Sequence, residues 1–109
     1  MARSFRVFYH NQKGRSAKNV NLTGFDIRNS SAVLVTAALW TPVEGGFHLG
    51  VDTRLLVHGS DVWISNMVPH GGPAEASGVE FMLHVDSGEP VDVAVTITVF
   101  EPCEGNTVV

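Results

Sequence analysis

Residues 91–100 read VDVAVTITVF, with Val91, Val93, Val95, Ile97 and Val99 at every second position. A side-chain period of two belongs to an extended strand with one buried face. A helix would need apolar residues at spacings of three and four instead. The same alternation returns at Val79, Phe81, Leu83 and Val85. It returns again over residues 47–57 at Phe47, Leu49, Val51, Thr53, Leu55 and Val57. A chain made of one-faced strands must cover each face with another layer, and that requirement governs everything else that can be read here.

The remaining segments fit the same frame. Residues 4–9 (SFRVFY) set Phe5, Val7 and Tyr9 on one side. Residues 31–40 (SAVLVTAALW) form the most apolar stretch, with Val33, Val35, Ala37 and Leu39 on one face and Ala32, Leu34, Thr36, Ala38 and Trp40 on the other. Its alanines would suit a helix, but its β-branched residues and short span between turns favour a strand. Over residues 19–27, Val20 and Leu22 keep one parity while Phe25 and Ile27 keep the opposite one, with Gly24 where a bulge would reset the face.

Gly59-Ser60 suits a two-residue type II′ turn, so residues 47–68 read as a hairpin. That hairpin would pair Leu56 with Trp63, Arg54 with Ser65 and Asp52 with Met67. The turn DSGEP at 86–90 would make a second hairpin with His84 opposite Asp92. The polar stretches 10–18 (HNQKGRSAK) and 41–46 (TPVEGG) read as connections, and 69–78 (PHGGPAEASG) as a long connection with one helical turn started by Pro73. The expected fold is all-β: a two-layer antiparallel β-sandwich of about seven strands, with a small closed β-barrel as the alternative. One domain spans 1–109, its tail after Pro102 fraying, and Leu55, Phe81, Leu83 and Ile97 are expected in the core.

Bulk properties narrow the function. The formal net charge is −4, and the cations concentrate at Arg3, Arg6, Lys13, Arg15, Lys18 and Arg28, with Arg54 the only one beyond. Nucleic-acid affinity leans on phosphate neutralisation by dense Lys and Arg, so no nucleic-acid partner is expected. A single cysteine, Cys103, rules out an intrachain disulfide. No signal-like segment and no apolar run of membrane-spanning length occurs, so the expected setting is the cytoplasm or a larger particle, with no membrane partner.

Chemical motifs are sparse. The histidines, His10, His48, His58, His70 and His84, lack the close spacing of zinc ligands. His48 and Asp52 share a strand face but stand about 13 Å apart, too far for one metal ion. No metal or cofactor is expected. Ser60, Ser65 and Ser77 with His58 and His70 supply the ingredients of a triad without a GxSxG elbow. Cys103 has no basic neighbour to hold a thiolate. The HGGP run at 70–73 lacks the lysine of a phosphate-binding loop.

More informative are large apolar residues on faces that should be polar. Leu34, Trp40, Leu56, Trp63 and Met67 all fall opposite the expected core and form a candidate interface. The favoured reading is a non-catalytic protein–protein association module, a homo-oligomer first. The alternative is a carbohydrate or small-ligand module, with Trp40 and Trp63 as platforms and His48, Asp52, Arg54 and Asn66 as hydrogen-bonding groups. A metal-assisted or hydrolytic enzyme is the third reading.

Overall fold

The structure is a computed structural model and describes residues 2–42 and 53–109. Among these residues the chain is all-β. Its strands are β1 (Arg3–Gln12), β2 (Gly14–Asn21), β3 (Ser31–Pro42), β4 (Thr53–Leu56), β5 (Asp61–Gly72), β6 (Glu75–Asp86) and β7 (Val91–Pro102). They form a four-stranded sheet in the order β1-β7-β3-β4 and a three-stranded sheet in the order β2-β6-β5, antiparallel throughout. The expected β-sandwich is the architecture found. No helix of the described residues is long and apolar enough to cross a membrane.

The core lies between β6 and β7, the two strands with the cleanest alternation. Val79, Leu83, Val93, Val95 and Ile97 have no exposed surface, and Phe81 is almost completely buried. Their faces meet across the sandwich with Val35 of β3 and with Leu22 and Ile27 from the β2–β3 connection. This arrangement corrects the expected hairpin at DSGEP. β6 pairs with β2 and β5, whereas β7 pairs with β1 and β3, so His84 and Asp92 are not partners. The most apolar strands gain more burial at the centres of opposed sheets than side by side in one, because each then packs face to face and is flanked on both edges.

The hairpin expected over 47–68 does not form either. β4 pairs with β3, β5 pairs with β6, and Leu56 and Trp63 belong to different sheets. Residues 47–52 of that expected hairpin lie outside the described residues. β4 aligns Leu55 with Trp40 and Leu56 with Leu39, so Leu56 takes the inward parity and Leu55 the outer one. A one-residue change of phase reverses every side chain. Because β4 is a short edge strand both leucines stay open, Leu55 39 % and Leu56 38 % exposed, against the expectation that Leu55 would be core, while Phe81, Leu83 and Ile97 are buried as expected.

Two other connections are tighter than their composition suggests. Only Lys13 separates β1 from β2, and most of the polar stretch 10–18 is strand. Positive φ at Asn11 (57°) and Gly14 (73°) carries the ribbon from one sheet to the other. Asp92 Oδ1 supports the bend by accepting the Asn11 N–H at 3.0 Å and lies 3.3 Å from His10 Nδ1. The stretch 69–78 continues β5 into β6 as a hairpin, with Gly72 aligned with Glu75 and Pro73-Ala74 at the turn, instead of making a helical turn. Gly71 lies so close to the Ile27 carbonyl that any Cβ would collide with it. Ser77 closes that end by accepting the Leu22 N–H on its carbonyl and the Ile27 N–H on its hydroxyl, each at 2.8 Å. Gly24 sits in a turn beyond β2 and does not bulge a continuous strand.

The β1–β2 ribbon thus folds around one side of the sandwich. On the other side β3 and β5 pack along each other, and the Val35 N–H donates to the Met67 thioether at 3.4 Å. The layers are therefore curled towards each other, half way to a barrel.

Candidate functional site

The outer face of the three-stranded sheet carries the most organised exposed cluster. β6 is central, and its inward residues Val79, Phe81, Leu83 and Val85 leave Glu80, Met82, His84 and Asp86 pointing out. Pairing then sets three rows across the face: Arg15–His84–Trp63, Ala17–Met82–Ser65 and Asn19–Glu80–Val68. Trp63 stacks on His84 with ring centroids 4.9 Å apart and planes within 3°. Ser65 Oγ and His84 Nε2 share a hydrogen bond of 2.7 Å, which fixes the imidazole beneath the indole. The indole still leaves 48 % of Trp63 in solvent, and Val68 is 52 % exposed.

A β-bulge puts Val68 there. Asn66 and Met67 together face the single residue Phe81, and Asn66 adopts a left-handed φ of 55°. The extra residue resets the parity of β5, so Trp63, Ser65 and Val68 all point outward. Without the bulge Val68 would face the core. Further along, His70 is buried although it lies on the same outer face. It lies across Gly78, where a Cβ would strike its ring, and reaches the Ala76 carbonyl through Nδ1 and Asn19 Oδ1 through Nε2, both at 2.7 Å. His70 thereby ties β5, β6 and β2 together beneath the exposed stripe.

The five expected interface residues do not make one patch. Trp63 stands on the face just described, and Met67 fills the β3–β5 seam. Leu34 is exposed on the outer face of the other sheet, and Leu56 belongs to the edge strand β4. Trp40 is only 5 % exposed, packed by Phe8 at 4.9 Å and His10 at 5.2 Å between ring centroids. Small Ala94 of β7 lies between β1 and β3 in their register and lets the Phe8 ring reach Trp40. Trp40 is thus not an open ligand platform. Arg54 is exposed on β4, Asn66 serves the bulge, and His48 and Asp52 lie outside the described residues.

Sequence reasoning missed His84, Met82, Val68, Arg15 and Glu80. The parity of β6 alone marks residues 80, 82 and 84 as outward, but nothing in the sequence says which strands flank them. Chemically, the Ser65–His84 pair lacks the parts of a hydrolytic site: among the described residues no carboxylate bonds His84, and the pair sits on an open sheet face. Among the same residues no three His, Cys, Asp or Glu side chains converge on one point. A cleft of about 430 Å³ opens where β4 leaves β3, lined by Leu39, Leu55, Leu56, Val57, Asp61 and Val62. Its lining side chains are aliphatic apart from Ser60 and Asp61, which leaves few side-chain polar groups to orient a small ligand. Comparisons of the chain with protein-family models, with curated proteins and with solved structures found no match.

Proposed function

We propose that this chain is a non-catalytic association module that joins protein chains, beginning with its own copies, through the outer face of the three-stranded sheet. The observation that carries this reading is Trp63: its side chain is held by stacking on His84, yet nearly half of it remains in water beside exposed Val68. An ordered, exposed tryptophan costs little conformational entropy to bury, and tryptophans are enriched at interface centres. Around Trp63, Val68 and Met82 lie Arg15, Asn19, Glu80 and His84, which gives an apolar middle with a polar margin. The setting that fits such a module is the cytoplasm or a subunit position in a larger particle. A carbohydrate-binding reading has weaker support, because Trp40 is buried and one face of the Trp63 ring is covered by His84.

Trp63→Asp tests the reading. In light scattering over a dilution series the wild type should exceed the mass of one chain at high concentration. W63D should remain at one chain while still folded, losing about 0.5–1.5 kcal/mol of stability with the aromatic stack. A wild type that stays monomeric up to about 1 mM, where even a weak Kd would show, defeats self-association and moves weight to the ligand-binding reading.

A further inference from the structure

We infer that the partner on this face is a second copy of the chain, set by a two-fold axis that runs across the strands through Met82; the inference rests on the association reading above. Closed two-fold pairs require a self-complementary patch, because each contact occurs twice with the roles exchanged. Face-to-face packing of this sheet on itself admits two such axes within the interface. An axis along β6 stacks each β6 residue on its own copy. It would set Glu80 against the second copy's Glu80 and Asp86 against the second copy's Asp86, and like charges brought together are costly. An axis across the strands at Met82 reverses the order of the rows. The Arg15–His84–Trp63 row of one copy then lies over the Asn19–Glu80–Val68 row of the other.

This second arrangement matches chemistry with chemistry. Trp63 meets the second copy's Val68, the two most exposed apolar residues of the face meeting each other. Arg15 reaches the second copy's Glu80, and His84 lies above it. Met82, Ala17 and Ser65 meet their own counterparts on the axis row. Neither Arg15 nor Glu80 has an ion-pair partner among the described residues. Within one chain Arg15 and Glu80 stand four residues apart along the strands, about 13 Å, so they cannot serve each other. The bulge at Asn66 is what allows the match, since only after its change of parity does Val68 face outward to receive a tryptophan. Three strands about 4.8 Å apart and about nine residues long offer roughly 400 Å² per copy. That is half of what a standard interface buries on each partner, so the pair should be weak and concentration-dependent.

The test is a charge exchange read by sedimentation equilibrium from about 1 μM to 1 mM, a range chosen to bracket weak dimer affinities. Arg15→Glu and Glu80→Lys should each weaken dimerisation about tenfold, because each removes two symmetric rim pairs. The double variant R15E/E80K should restore the wild-type constant, as the exchanged charges meet across the axis. Circular dichroism on all three confirms the fold of these surface variants. If Glu80→Gln, which would relieve a Glu80–Glu80 repulsion, tightens the dimer instead of weakening it, the axis runs along β6 and the inference is overturned. If neither charge matters while W63D still dissociates the pair, the inference fails and the association reading stands. If the wild type shows no dimer at any concentration, both fail together.

Discussion

Tyr9 shows how a single group links packing to solution behaviour. Its phenol is partly buried against the core, and burial raises its pKa above the ordinary value of 10.0 by penalising the charged phenolate. Folding therefore favours the protonated form. The stabilisation is complete below the pKa of the unfolded chain and is lost as pH rises through the higher folded value. Urea titrations between pH 9 and 12 should show stability falling for the wild type and falling less for Tyr9→Phe; parallel curves would remove Tyr9 from the alkaline transition. Leucine burial gives a second contrast at this scale. Leu83 is wholly buried, whereas Leu55 is 39 % exposed on an edge strand. Leu83→Ala should cost about 2–5 kcal/mol, and Leu55→Ala less than about 1.5 kcal/mol. Chemical denaturation that ranks them the other way would contradict the placement of β4.

At the scale of elements, two of the four register shifts among the described strands place an asparagine in the left-handed region: Asn11 in β1 and Asn66 in β5. Asparagine tolerates that conformation better than any branched residue, since its short polar side chain can bond locally. The Asn11 bend begins the passage of the β1–β2 ribbon between sheets, and the Asn66 bulge turns Val68 outward. Asn66→Val should therefore destabilise the fold by about 1–2 kcal/mol, the cost of a β-branched side chain in this region. Asn66→Gly should cost less than about 1 kcal/mol, because glycine enters the region freely. Equal losses for the two variants in thermal denaturation would mean that the Asn66 side chain, and not its backbone conformation, sustains the bulge.

For the whole molecule, the decisive arrangement is that consecutive strands seldom share a sheet. Among the described strands, β1 and β2, β2 and β3, β4 and β5, and β6 and β7 each cross between layers, while only β3–β4 and β5–β6 pair as neighbours in the chain. This weave buries β6 and β7 face to face and leaves the three-stranded sheet with an outer face of its own. Trp63 stands there because its strand pairs with β6 and not with β4. The monomeric behaviour expected of W63D follows from that pairing, and the charge exchange expected between Arg15 and Glu80 from the pairing of β2 with β6.

Period-two alternation was enough to mark β3, β6 and β7 as strands and to give the inward sides of β6 and β7, because a side chain's direction depends only on its own backbone. The all-β class follows from the same signal, as does the burial of Phe81, Leu83 and Ile97. Partner choice was not legible. A turn such as Gly59-Ser60 or DSGEP permits a hairpin locally, but the strands on either side buried more surface by parting to opposite layers, and that competition is settled over the whole chain. The strand character of residues 10–18 and the extended path of 69–78 were hidden for a related reason: polar and glycine-rich stretches become strand when neighbours supply their hydrogen bonds. The candidate site combines both kinds of information. Trp63 was visible as an apolar residue out of place, but its companions His84, Met82, Val68, Arg15 and Glu80 come from other strands or from beyond a bulge, and only tertiary pairing brings them onto one face.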